Sequence, residues 1–372
     1  MRKLSLFLAA LLALGTLGFV GCGGSTGGGS TGGGTTGGET TGGGTTGGET
    51  TGGGTTDDTQ DTNMLFDPKF EKGIGISALQ SNLMQYTEWN YGSDTQDDHF
   101  WRLGQYGDLS TTRTGYDSSK NDLFPGVESI FGDEPALGVM ETKSDGTHTL
   151  TSQSGSKQIG VNTQTGTVSL NVNTTKEYIN QSTNKTQKRV DGEDWVHMIL
   201  SQQAGTVRLS QVSSFVMELD FTLTKSTIYD TSIGAAQFQW IFSVNDPDSS
   251  YGDYFWFNVC LYDNRYEKFP GTQMVDSGKA DATGKFIYAP TGEELFGESG
   301  GKVEVGVKYH VRLDLLEYME NAFTIAKSKG ALKDSSWESM TVTSFNLGWE
   351  VSNLADVGVD ISNLALYKVD KA

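Results

Sequence analysis

Residues 253–263 read Asp-Tyr-Phe-Trp-Phe-Asn-Val-Cys-Leu-Tyr-Asp. Side chains of a strand point alternately to its two faces, so Phe255, Phe257, Val259 and Leu261 share one side while Tyr254, Trp256, Asn258, Cys260 and Tyr262 share the other. The first set is wholly apolar, and the second mixes aromatic rings with amide and thiol groups. A period of two with unlike faces predicts a strand laid on a core by one side only.

The same rhythm recurs on both sides of this segment. In 236–244, Ala236, Phe238, Trp240, Phe242 and Val244 alternate with Gln237, Gln239, Ile241 and Ser243; in 195–202, Val196, Met198 and Leu200 alternate with Trp195, His197, Ile199 and Ser201. Residues 216–224 place Met217, Leu219, Phe221 and Leu223 inward with Glu218 and Asp220 outward, and 344–351 add Phe345, Leu347, Trp349 and Val351. Gln164-Thr165-Gly166 marks a hairpin within 161–172, and 357–367 reads as a closing strand pair or a bent strand. A single segment breaks the pattern: Leu316, Met319, Phe323 and Ala326 are spaced by three and four, with Gly330 placed as a C-terminal cap. Residues 63–372 are therefore expected to form an all-β domain, a two-sheet antiparallel β-sandwich with one peripheral α-helix.

The N-terminus is of another kind. Arg2 and Lys3 precede an apolar run from Leu4 to Val20, closed by Phe19-Val20-Gly21-Cys22, which is the layout of a secretory signal over residues 1–21 and too short for a membrane span. Those last four residues resemble a bacterial lipobox, which implies lipidation of Cys22 and a membrane partner through that lipid. Gly23 after the cysteine resembles lipoproteins sent to the outer membrane or cell surface. Residues 22–62 repeat Thr-Thr-Gly-Gly-Glu and Gly-rich units that cannot form a core, and read as a flexible tether with a reach of roughly 30 Å.

Composition narrows the function classes. The formal charge of −19 opposes nucleic acid, whose binding is driven by Lys and Arg displacing counterions. With Cys22 lipidated, Cys260 is the remaining cysteine, so no disulfide within the chain is expected and stability rests on buried apolar area. Of the four histidines, His99, His148 and His310 show no paired spacing with each other or with cysteine, which gives a zinc site little support, and neither a metal nor a cofactor is expected. Asp263, Asp276 and Asp281, in or near a Gly-rich stretch, are of the type that binds calcium, although acidic loops are more often simply solvated.

Sugars present flat C–H faces rimmed by hydroxyls, and a groove for them needs aromatic platforms with amide, carboxylate and imidazole partners. Trp195, Tyr254, Trp256 and Tyr262 supply the rings; His197, Gln237, Gln239 and Asn258 supply the polar groups. The plainer alternative is a second minor core with its Trp and Tyr groups satisfied locally.

At this point 161–367 resembles the concanavalin A-like jelly rolls, a group that includes lectins, glucanases and alginate-type polysaccharide lyases. The glucanases carry Glu-x-Asp-x-x-Glu; Glu218-Leu219-Asp220 matches its first half, while Leu223 stands where the last acid belongs, so hydrolysis would recruit Glu350 in Gly348-Trp349-Glu350. The lyases carry Gln-x-His and a later Tyr-x-Lys-x-Gly-x-Tyr. Gln237-Phe238-Gln239 followed by 254–262 has the same order, with Gln239 in place of His and Trp256 in place of Lys. For β-elimination the resemblance implies His197 with Gln239, Arg189 or Arg265 neutralising a uronate, and Tyr262 or Tyr178 taking the proton. The expected function is polysaccharide binding at the cell surface, with a lyase, then a hydrolase, as the enzymatic alternative, and a structural or adhesive envelope domain as the third.

Overall fold

The long strands turn apolar sides toward each other across a shared core. The computed structural model describes residues 63–371 except 78–85, 92–99, 105–138, 153, 181–184, 187–194, 204, 250–252 and 277–283. One sheet runs, neighbour by neighbour, Thr272–Val275, Phe286–Ala289, Tyr254–Asp263, Ala236–Asn245, Thr341–Val351, Val196–Gln202, Trp101–Gly104, Ile74–Ser77 and Tyr86–Trp89. The other runs Lys308–Asp314, Val212–Asp230, Leu354–Asp370, Thr167–Asn173, Lys157–Asn162, His148–Thr151 and Val139–Thr142. The chain is thus a two-sheet β-sandwich.

Between the sheets lie Phe238, Trp240, Phe242, Phe257, Leu347 and Trp349 from the first and Phe215, Met217, Leu219, Leu170 and Val359 from the second, all fully buried. Complete burial of such side chains stabilises by roughly 1.5–3 kcal/mol each before chain entropy is charged against it. Trp349 also stitches the two layers, donating its indole N–H to the Leu170 carbonyl at 3.1 Å.

Two pairings depart from the expected antiparallel order. Ile74–Ser77 runs parallel to Trp101–Gly104, and Tyr254–Asp263 runs parallel to Phe286–Ala289. Both involve four-residue strands reached by long connections, and a crossover of that kind is what a parallel neighbour requires.

The helix forms at Leu316–Ser328, burying Met319, Ala322, Phe323 and Ala326 against Val212–Asp230 and Tyr254–Asp263, one strand from each sheet. Gly330, at φ 85°, ends it: Ala331 N–H reaches the Ala326 carbonyl and Gly330 N–H the Lys327 carbonyl, both at 3.0 Å. That pair of bonds satisfies carbonyls the helix leaves open, in a turn only an achiral residue enters cheaply. A second, five-residue helix, Gly292–Phe296, was not foreseen; Thr291 and Glu294 close a capping box at its start. Among the described residues no helix is long and apolar enough to cross a membrane.

Candidate functional site

Four adjacent strands build one polar face on the side of the first sheet away from the core. Register sets His197 opposite Glu350, Glu350 opposite Gln237, and Gln237 opposite Asp263. Further along, Gln239 faces Cys260, Ile241 faces Asn258, and Ser243 faces Trp256. Pleating then turns all of these side chains the same way.

The face is internally bonded. Gln239 donates through Nε2 to Glu350 Oε2 at 2.5 Å and accepts at Oε1 from Asn258 Nδ2 at 2.5 Å. His197 Nε2 lies 3.7 Å from Glu350 Oε1, so imidazole, carboxylate and two amides form one chain across four strands. Gln237 Nε2 donates to Asp263 Oδ2 at 2.9 Å, and Arg265 grips the same carboxylate with both Nε (2.9 Å) and Nη2 (2.6 Å). Burial alone would lower the Arg265 pKa, but these bonds to Asp263 outweigh it and hold the guanidinium more firmly protonated than usual. Burial pushes the Cys260 thiol well up, which makes it a neutral packed thiol and no nucleophile.

Not every polar atom is satisfied. Gln237 Oε1, Asn258 Oδ1, Ser243 Oγ and Trp256 Nε1 are buried and have no hydrogen-bond partner. All four belong to adjacent strands and to the same face.

Several expectations need correcting. The open trough is closed to solvent: Trp195, His197, Gln237, Gln239, Trp256, Asn258 and Glu350 are all buried, and Tyr254 is only half-buried. Part of the cover is the minor core weighed above, since Trp256 packs with Ile241 and Ile287, and Cys260 with Phe269 and Ala289. Tyr254 stands edge-on to Trp256 with Lys285 above its ring.

Tyr262 is not on this face at all. A bulge between Phe238 and Gln239 skips Leu261, so Tyr262 pairs with Phe238 on the core side, where its hydroxyl bonds Ser226 Oγ at 2.7 Å. One extra residue reverses the alternation for everything after it. Burial raises the Tyr262 pKa, so it is ill-suited to take a proton. Tyr178 is also buried and donates to the Val351 carbonyl at 3.3 Å. The elimination set of His197, Gln239 and Tyr262 therefore does not converge.

Glu218 fails for a different reason. It sits on the outer side of the second sheet, paired with Arg312, with the whole core between it and Glu350. A retaining pair needs carboxyls about 5–5.5 Å apart, which this geometry forbids. Arg189 and Cys22 lie outside the described residues, as do His99 and Asp281. Among the described residues no group of three or more potential metal ligands gathers; Asp263, counted above with the calcium-type residues, is committed to Arg265.

The alternation already set Ser243 on this face and the lyase resemblance named Arg265, but Asp263, which ties Arg265 to Gln237, was not placed in this constellation. Asp263 requires the bulge, which no glycine or proline announces at Cys260-Leu261.

No protein-family model and no curated protein matches the chain. Among solved structures, a cellulase derived from that of Rhodothermus marinus aligns at TM-score 0.34 and 12% identity, over 62% of this chain and 96% of its own. A family 12 xyloglucanase from Bacillus licheniformis aligns at TM-score 0.34 and 10% identity (62% and 96% covered), and a family 11 xylanase from Neocallimastix patriciarum at 0.32 and 7% (62% and 90%). Likeness at this level assigns no residue and no activity.

Proposed function

We propose that the polar face of the first sheet binds a polysaccharide, and that the protein is an exported lipoprotein carrying this sandwich on a Gly/Thr tether from Cys22. The observation that supports the reading is the set of four unpaired buried atoms on neighbouring strands. An unmade buried hydrogen bond costs on the order of 1–3 kcal/mol, so polar atoms left unpaired along one face favour outside partners. Two are acceptors, Gln237 Oε1 and Asn258 Oδ1; one is a donor, Trp256 Nε1; Ser243 Oγ is both. Sugar hydroxyls answer all three needs, because each can donate and accept. Since the face is shielded, binding is coupled to its uncovering, and the association rate is expected to level off as glycan concentration rises.

The test uses full-length protein on a glycan array, followed by calorimetry with the glycans retained. Ser243→Ala removes a hydroxyl that the free protein leaves unpaired, so it should keep or raise Tm while weakening glycan binding by roughly three- to tenfold, the worth of one neutral hydrogen bond. A face that is only a minor core would show the Tm effect with no glycan retained by the wild type, and that outcome rejects the proposal.

A second reading, hydrolysis, rests on Glu350 as the carboxylate central to the face. Release of reducing ends by the wild type, abolished in Glu350→Gln, would favour it; elimination would instead give an ultraviolet-absorbing unsaturated product.

A further inference from the structure

Beside the Gln237 end of the polar face lies a small, partly open cleft of about 110 Å³, lined among others by Cys260, Asp263, Tyr266, Glu267, Phe269 and Lys302. It holds several waters' worth of space, the scale of one sugar ring and not of a chain. Asp263 joins the two regions: it lines the cleft, and its buried carboxylate accepts from Gln237.

Tyr266 stands at this cleft 44% exposed, one of three exposed aromatic rings among the described residues, with Phe66 and Tyr229. Its position is fixed from below. Asp263 Oδ1 accepts from the Arg265 backbone N–H at 3.0 Å, and the Asp263 carbonyl accepts from the Tyr266 N–H at 3.1 Å, which closes a tight turn. The Arg265 guanidinium, clamped by the same Asp263 carboxylate, lies 5.1 Å from the Tyr266 ring centre, and Phe269 meets that ring edge-on at 6.1 Å. An exposed ring would ordinarily keep its rotamer freedom; here cation and neighbouring ring restrict it before any ligand arrives.

We infer that this cleft is a carbohydrate subsite, with Tyr266 as the stacking platform for one pyranose unit and Glu267 and Lys302 as rim partners for its hydroxyls. The inference rests on the proposed function, and it extends the glycan contact from the shielded face to a solvent-open end. A ring with an apolar C–H face fits a preset phenol, while its hydroxyls suit a rim of one carboxylate and one ammonium.

Calorimetry of detergent-solubilised full-length protein with cellohexaose and xylohexaose provides the test, with Tyr266→Ala, Tyr266→Phe and Ser243→Ala measured in parallel. Loss of the platform should weaken binding of whichever hexasaccharide binds by about tenfold, with Tm lowered by a few degrees at most for the lost contacts to Arg265 and Phe269, whereas Tyr266→Phe keeps affinity within about twofold. Wild-type-like affinity in Tyr266→Ala alongside weakened binding in Ser243→Ala overturns the subsite and leaves the polar-face reading standing. Absence of binding by the wild type to both hexasaccharides and to every arrayed glycan overturns both.

Discussion

At the scale of single residues, the outer side of the second sheet shows how local bonding sets a charge. Asp220 is nearly buried there, which by itself raises its pKa, but hydrogen bonds from Lys308 (2.7 Å), His310 (2.7 Å) and Asn363 (2.6 Å) more than offset this and hold the carboxyl below its ordinary range. A depressed carboxylate stabilises the fold at pH values above its unfolded pKa of about 3.9, and that contribution fades as pH falls through the lower folded value. Asp220→Asn should therefore lower Tm by a few degrees at pH 7, with the gap to wild type closing below about pH 4. Thermal melts of both proteins from pH 3 to pH 8 read this directly, and a gap unchanged by acid contradicts it. The residue scale is also where the sequence was most informative and then misled. Gln237, Gln239, Asn258 and His197 share a face because alternation demands it, but their burial depends on what lies above that face, which alternation does not encode. Tyr262 looked like their neighbour until a single skipped residue turned it inward.

At the scale of elements, the centre of the first sheet depends on a missing side chain. Gly348 lies between Ile199 and Gln239, and a Cβ there would meet the Met198 carbonyl oxygen at 2.1 Å. Backbone cannot retreat as a flexible side chain would, so Gly348→Ala must pry Thr341–Val351 from Val196–Gln202. The expected cost is on the order of 1–3 kcal/mol or more, as for other overpacked sites. Chemical denaturation should show a lower midpoint, and His197 and Glu350, in register two residues away, should lose their approach. An unchanged midpoint would mean that the two strands have slack not visible in their register. The strands and the long helix were legible because period two and period 3.6 are local properties. The parallel pairings and the bulge were not, because each depends on which strand lies alongside.

At the scale of the whole molecule, the described sandwich residues begin at Asn63, and the lipidated tether remains the proposal drawn from residues 1–62. Cells fed radiolabelled palmitate should incorporate label into the wild type and lose it in Cys22→Ala; label retained in the variant, or absent from both, removes the anchor. Fold class was readable because five segments repeat the same apolar alternation, enough for two facing layers. The layer chosen for the candidate site was also readable, since alternation sets Gln237, Gln239, Asn258 and His197 together on the outer side of the first sheet. Whether that side meets solvent was not, because strand pattern says nothing about what lies above a face.

Asn63 is bridged to Tyr367, and its Oδ1 takes the Leu366 N–H at 3.1 Å while the Met64 N–H reaches the Leu366 carbonyl at 2.7 Å. Three residues on, Phe66 exchanges two hydrogen bonds of 2.8 Å with the Gln202 side chain, which ties the same segment to the other sheet. Mechanical load arriving from the N-terminal side would thus meet two fasteners in series, the outer one peeling before the inner. A tug on the domain would be absorbed by unzipping a few residues at Asn63, sparing the central strands from strain.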